Sequence, residues 1–137
     1  SGEQPDPEKD RKAYQAAKGE LLKRNFQAAA RAFRSYLDDF PDGGFRPYAH
    51  FWLGEVYRNL GDRDDDAREQ FREVVEQYPD HSKTPAALYK LASLEADAGN
   101  TGKARVTLEK LRMKFPDSRE AELARGMLEQ LKADADG

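Results

Sequence analysis

An aromatic-Pro-Asp triplet occurs three times, as Phe40-Pro41-Asp42, Tyr78-Pro79-Asp80 and Phe115-Pro116-Asp117, with the prolines 38 and then 37 residues apart. A fixed period of this size marks a repeat architecture, in which one supersecondary unit is copied and each copy covers the apolar face of its neighbour. Counting back from the prolines brings the copies into register. Five residues before them stand Tyr36, Val74 and Leu111; eight before, Phe33, Phe71 and Leu108; twelve before, Ala29, Ala67 and Ala104. The alanine lets two helices approach closely, and the large residue four positions on, on the same helical face, fills the space between them. Proline cannot continue a helix interior and biases the residue before it away from helical geometry, so each triplet ends a helix at a defined point.

A preceding helix is marked by Ala16-Ala17, Leu53-Gly54 and Leu91-Ala92, once one extra residue is allowed in the Asp62 to Asp66 turn. Each copy is therefore a helix pair. Within the pairs, Asn59-Leu60-Gly61-Asp62 and Ala98-Gly99-Asn100-Thr101 read as a glycine stop followed by a capping side chain for the next helix. The pattern predicts helices over 8–24, 26–39, 47–60, 65–77, 84–98, 102–114 and 118–132. The fold class is all-α, an α-solenoid of three helix pairs (11–41, 47–79 and 85–116) stacked in a right-handed arc, closed by a capping helix over 118–132. In that last helix Leu123, Met127, Leu128 and Leu131 form an apolar stripe, with Arg119, Glu120, Glu122, Arg125 and Glu129 on the opposite side. The repeat domain is expected over 11–133, after a linker or cloning scar over 1–10.

Composition narrows the function classes. Charged residues make up 36% of the 137, yet the net charge is only -3, so no polyanion-binding excess of positive charge is present and nucleic acid is not an expected partner. No apolar run approaches the length of a membrane span, and Ser1-Gly2-Glu3-Gln4-Pro5-Asp6-Pro7 lacks the pattern of a signal peptide. The absence of cysteine removes disulfides, thiolate metal sites and cysteine nucleophiles, and fits cytosol and periplasm equally.

The helix pairs resemble tetratricopeptide repeats. Leu53-Gly54, Tyr57, Ala67, Phe71 and Pro79 carry the likeness in the second pair, and Leu91, Ala92, Gly99, Ala104 and Pro116 in the third. The first pair departs from the pattern, with Ala17 where glycine is usual and Glu20 where an aromatic is usual. Links longer than the usual repeat, together with Ala13-Tyr14-Gln15-Ala16, His50-Phe51-Trp52-Leu53-Gly54-Glu55 and Tyr78-Pro79-Asp80-His81-Ser82-Lys83, are similar to the C-terminal domain of the CpoB (YbgF) family of Tol-Pal accessory proteins, over residues 11–132. That resemblance implies a non-catalytic, cofactor-free periplasmic adaptor in cell division, binding TolA and a peptidoglycan synthase. In that family an N-terminal coiled coil drives trimerisation. No such heptads occur in this sequence, so the isolated domain is expected to be monomeric. Two other repeat proteins stay open: a subunit of an outer-membrane protein assembly complex, and a cytosolic chaperone adaptor. The latter ordinarily uses a basic and asparagine clamp, and Tyr14, Phe51 and Tyr89 stand where polar clamp residues belong.

Catalytic and metal chemistry find little support in the residues. His50 and His81 are the two histidines, with no cysteine beside them to complete a metal set, and a structural or surface role is the expectation for both. Asp62, Asp64, Asp66 and Glu73 imitate the spacing of a calcium loop, but Ala67 stands where the sharp-turn glycine belongs, inside a helix by the repeat register. Asp64, Asp65 and Asp66 instead suit a helix N-terminus. Paired carboxylates such as Glu120 and Glu122 are ordinary on solvated helix faces, and no nucleophile triad or phosphate loop is present, so no enzyme is expected.

The first helix of each pair carries more aromatic residues than the repeat core requires. In the second pair Tyr48, Phe51, Trp52, Glu55, Arg58 and Asn59 share a broad face, largely apart from the core line Leu53, Val56, Tyr57 and Leu60. Register places Tyr14, Lys18 and Leu21 on that face in the first pair and Tyr89, Lys90, Ser93 and Asp97 in the third. In proteins of this resemblance such helices line the concave groove. The candidate partner-binding set is therefore Tyr14, Lys18, Tyr48, Phe51, Trp52, Glu55, Arg58, Tyr89, Lys90 and Ser93, with rings as anchors and charges setting register. The same pattern leaves Trp52 open between groove and core.

Overall fold

Each aromatic-Pro-Asp triplet builds the same β-turn. The carbonyl of the aromatic accepts a backbone hydrogen bond from the residue three positions on: Gly43 N to Phe40 O at 2.9 Å, His81 N to Tyr78 O at 3.2 Å, Ser118 N to Phe115 O at 3.1 Å. Proline in the second position suits this turn, because its φ is preset and its missing N–H is not needed there. The aromatic's own N–H closes the helix behind it, bonding Tyr36 O, Val74 O and Leu111 O respectively. A side chain downstream adds a second donor to the aromatic's carbonyl: Arg46 Nη1 at 3.0 Å, Thr84 Oγ1 at 2.5 Å and Ser118 Oγ at 2.7 Å. The triplet thus ends one helix and anchors the link that leads to the next.

The structure, a computed structural model, describes residues 6–136. Among them the helices are α1 (Pro7–Leu22), α2 (Phe26–Asp39), α3 (Arg46–Leu60), α4 (Asp64–Gln77), α5 (Thr84–Asp97), α6 (Thr101–Lys114) and α7 (Arg119–Asp136), with no strand. The fold is all-α, as the repeat period requires. Helix α1 begins at Pro7, so the linker expected over 1–10 ends by Asp6, whose carboxylate accepts the Glu8 N–H at 2.9 Å and caps the first turn; residues 1–5 lie outside the described residues. Helix α7 runs to Asp136, four residues beyond its expected end. Asn100 holds the N-cap position of α6, but its side chain makes no capping bond, contrary to the expected role.

Turns inside the pairs need a left-handed residue. Gly61 and Gly99 supply it at φ 87° and 84°, and Arg24 takes the equivalent place at φ 62°. Arg24 N bonds Leu21 O and Asn25 N bonds Glu20 O, which matches Gly99 N to Ala96 O and Asn100 N to Glu95 O bond for bond.

Two compact units divide the chain, one up to Glu73 and one from Val74, the division falling within α4. In the first unit α1 packs on α2, α2 on α3, and α1 touches α3. Its core holds Ala17, Ala29, Phe33, Tyr36, Leu53, Val56 and Phe71, all essentially inaccessible. Gly54 is required there, because a Cβ at that position would lie 2.7 Å from the Phe71 ring. In the second unit α5 packs on α6, α6 on α7, and α5 touches α7, around Ala87, Leu88, Leu91, Ala92, Ala104, Leu108 and Leu111. Helix α7 departs from its expected stripe. Ala121 and Ala124 are the residues it buries, whereas Leu123 is 42% exposed and Met127, Leu128 and Leu131 are only half-covered.

Candidate functional site: an aromatic strip on the first unit

The link from Phe40 to Arg46 is held by a buried polar network that aims a ring at α1. Asp10, in the first turns of α1, is buried; its carboxylate accepts a short hydrogen bond from the Tyr36 hydroxyl and another from Gly44 N at 2.8 Å. The Tyr36 oxygen in turn accepts Phe45 N at 2.9 Å. Burial, and next the Asp10 carboxylate, push the Tyr36 phenol far above its ordinary pKa, so it stays a neutral donor. Gly43 is enclosed so tightly that a Cβ would lie 2.5 Å from the Tyr36 hydroxyl. Arg46 ties the link to the end of α2 through Leu37 O and Phe40 O.

Phe45, so positioned, stacks flat on Tyr14, with ring centroids 4.7 Å apart and planes 7° from parallel. Tyr48, one turn into α3, lies 6.2 Å from Tyr14 and 6.4 Å from Phe45. All three rings are half-buried. Trp52 continues the strip on α3, and Lys18 on α1 places its ammonium 4.1 Å from the indole centroid, a cation–π contact across the two helices. Burial raises the Tyr14 phenol pKa, and the neighbouring Trp52 indole works against that rise. Further along α3, Glu55 pairs with Arg58 at 3.1 Å and Asn59 donates to the Glu55 carbonyl.

Of the residues named from sequence on this unit, Tyr14, Lys18, Tyr48 and Trp52 come together, and Glu55 and Arg58 follow them along the same helix. Phe51 does not present a ring to solvent. It is 3% exposed and packs edge-on against Phe71 at 5.6 Å and Trp52 at 5.1 Å, so it supports the strip from behind. Trp52, left open between groove and core, has both characters, being half-buried with one face under Lys18. On the second unit Tyr89, Lys90 and Ser93 are half-exposed on α5, with Ser93 Oγ donating to the Tyr89 carbonyl at 3.1 Å.

Sequence reading missed Asp10 and Tyr36 as parts of the site. Gly43, two residues before Phe45, was the available signal, since a link that passes this closely over a buried phenol and carboxylate needs a residue without a side chain there. The histidines are structural. His50 is buried with Nδ1 2.8 Å from Gln70 Oε1, and burial holds its pKa below the ordinary value; Lys83 N donates to His81 Nδ1 at 3.0 Å. The calcium-like acidic run forms the first turn of α4, with Ala67 fully buried behind it.

A tetratricopeptide repeat family model matches residues 14–82, and a second tetratricopeptide repeat model matches 86–118. The cell division coordinator CpoB of Pseudomonas putida strain KT2440 is 35% identical over 62 residues, 45% of this chain, and a CpoB sequence from Pseudomonas putida without strain designation matches to the same extent. The match spans 23% of each relative's length.

Proposed function

Because this chain belongs to the tetratricopeptide repeat family, whose helix pairs are protein-interaction modules, we propose that it is a periplasmic adaptor of the Tol-Pal system, holding a segment of TolA and linking it to peptidoglycan synthesis during cell division. The observation that carries the binding role is the strip of half-buried rings, Phe45, Tyr14, Tyr48 and Trp52, edged by Lys18, Glu55 and Arg58. Rings already fixed by stacking lose little freedom when a peptide covers them, and the flanking charges select its register. Phe51 belongs to the support of this surface. By register Tyr89, Lys90 and Ser93 are the second unit's counterparts of Phe51, Trp52 and Glu55. The choice of TolA and the synthesis machinery follows from the similarity to CpoB, a cell division coordinator.

The test is calorimetric titration of a TolA fragment against single variants, with the melting temperature of each measured in parallel. Tyr14→Ala and Trp52→Ala should each weaken binding by about 2 kcal/mol while the fold persists. Phe51→Ala should lower the melting temperature first. Unchanged affinity in the folded Tyr14 and Trp52 variants would move the site away from the strip. No binding by the unaltered chain would remove TolA as the partner.

A further inference from the structure

One position of the repeat takes a nitrogen donor in two of its three copies. Three residues past Ala17, Gly54 and Ala92 stand Glu20, Tyr57 and Glu95. Glu20 Oε2 accepts the Asn25 side chain at 2.9 Å. The Tyr57 oxygen accepts Arg34 Nη1 at 2.8 Å, and the Arg63 guanidinium lies over its ring at 4.6 Å. At Glu95 the chain supplies a hydroxyl instead. Thr107 Oγ1 donates to Oε1 at 2.7 Å, and Oε2 meets no donor among the described residues. The Asn100 side chain, in the register of Asn25, makes neither a cap nor a bond to this carboxylate.

Glu95 is nevertheless only 5% exposed. Its carboxylate is withdrawn from bulk water with one oxygen satisfied, a costly state that a matching donor relieves. Room for that donor is present. Glutamate is shorter than the tyrosine of the second pair, and a Cβ at Gly102 would meet nothing. Glu95 lines a cavity of about 350 Å³ with Gly102, Lys103, Val106 and Thr107. Val106 is 71% exposed, an apolar side chain beside a buried charge.

We propose that this cavity binds a lysine side chain of a partner protein, its ammonium on Glu95 and its methylenes along Val106. Only a donor satisfies the open oxygen, and a buried negative charge favours a positive one. Because Thr107 already holds Oε1, one acceptor oxygen is left. A guanidinium pairs best through two, whereas an ammonium is a compact point charge that pairs through one. The lysine stem is apolar and gains cover from Val106. Lys103 stands at the same cavity, exposed and without an ion pair among the described residues, so it repels the incoming ammonium and keeps the affinity modest. The site shares no residue with the aromatic strip, and it stands whether or not TolA is the partner.

The probe is Nα-acetyl-lysine N-methylamide, titrated at low salt into the isotope-labelled whole chain. Saturable shifts in the amide resonances of Glu95, Gly102, Lys103 and Thr107 are expected, in the millimolar range. The norleucine analogue, which keeps the stem and lacks the ammonium, should bind about tenfold more weakly or not at all. Glu95→Gln retains an acceptor for Thr107 while removing the charge, and should weaken the lysine probe about tenfold or more with helicity unchanged. Lys103→Met, at an exposed position, should strengthen it about twofold. Absence of saturable shifts, shifts confined to the aromatic strip, equal binding of the norleucine probe, indifference to Glu95→Gln, or weaker binding in Lys103→Met would each overturn the proposal.

Discussion

The unit up to Glu73 holds eleven of the fourteen aromatic residues, and the unit from Val74 holds Tyr78, Tyr89 and Phe115. The helix-and-turn plan is nevertheless the same in both, so the rings are not what specifies it. Small residues at close helix crossings and the proline turns do that, and the space between them can be filled in more than one way. In the first unit Gly54 admits Phe71; at the aligned places of the second stand Ala92 and Leu108, a larger residue facing a smaller one. The links differ in the same manner. In the second unit Thr84 donates to Tyr78 O, His81 Nδ1 accepts Lys83 N and Lys114 reaches Pro79 O from outside, whereas the first unit builds a link of equal length around the buried carboxylate of Asp10, with Tyr36 and Arg46. The surplus polar network positions Phe45 on Tyr14. It is a feature of the strip, and the second unit, without such a strip, does not have it.

The largest expected effect comes from breaking that network. Asp10→Ala leaves the Tyr36 hydroxyl and Gly44 N without their buried acceptor and should cost about 2–3 kcal/mol in urea unfolding. Thr84→Val, which removes one side-chain donor in the second link, should cost about 1 kcal/mol. Equal losses would show that the two links are supported alike. Next in size is Gly54→Ala, which forces a methyl into the Phe71 ring and should cost about 2 kcal/mol. The same change made together with Phe71→Leu, which copies the pair found in the second unit, should cost less than the sum of the single changes. Simple additivity would separate these two positions.

A smaller effect of opposite sign is expected at the turn between α1 and α2. Arg24→Gly should stabilise the chain by about 0.5–1 kcal/mol, because glycine avoids the left-handed penalty that Gly61 and Gly99 already escape. An unchanged melting temperature would mean that the arginine is not strained. The smallest effect concerns pH. Burial lowers the folded-state pKa of His50 from 6.5, so the unfolded chain takes up the proton first. The associated stability is complete above that value and is lost as pH falls below about 6.5 toward the folded pKa. His81 shifts in the same direction, by its lesser burial and the charge of Lys83. Urea midpoints at about pH 7.5 and about pH 5.5 should therefore show that His50→Gln removes more of the acid-side decline than His81→Gln.

Helix order, the proline stops and the small-large register were legible because they are local or strictly periodic. Ala29, Ala67 and Ala104 are buried as their spacing requires. The sequence by itself also placed Tyr48, Phe51 and Trp52 on one broad face of α3. It did not separate Phe51 from Trp52, since adjacent residues on a helix differ by about 100° and both fall within a broad aromatic face. Tertiary structure decided that Phe51 turns onto Phe71 while Trp52 stays under Lys18. It likewise decided that Asp10 is buried, although its neighbours Glu8, Lys9 and Arg11 are exposed. A charge becomes a core residue only when a phenol and a backbone N–H from 26 and 34 residues away arrive to satisfy it. No local pattern carries that information, because the partners meet only after the helices have packed.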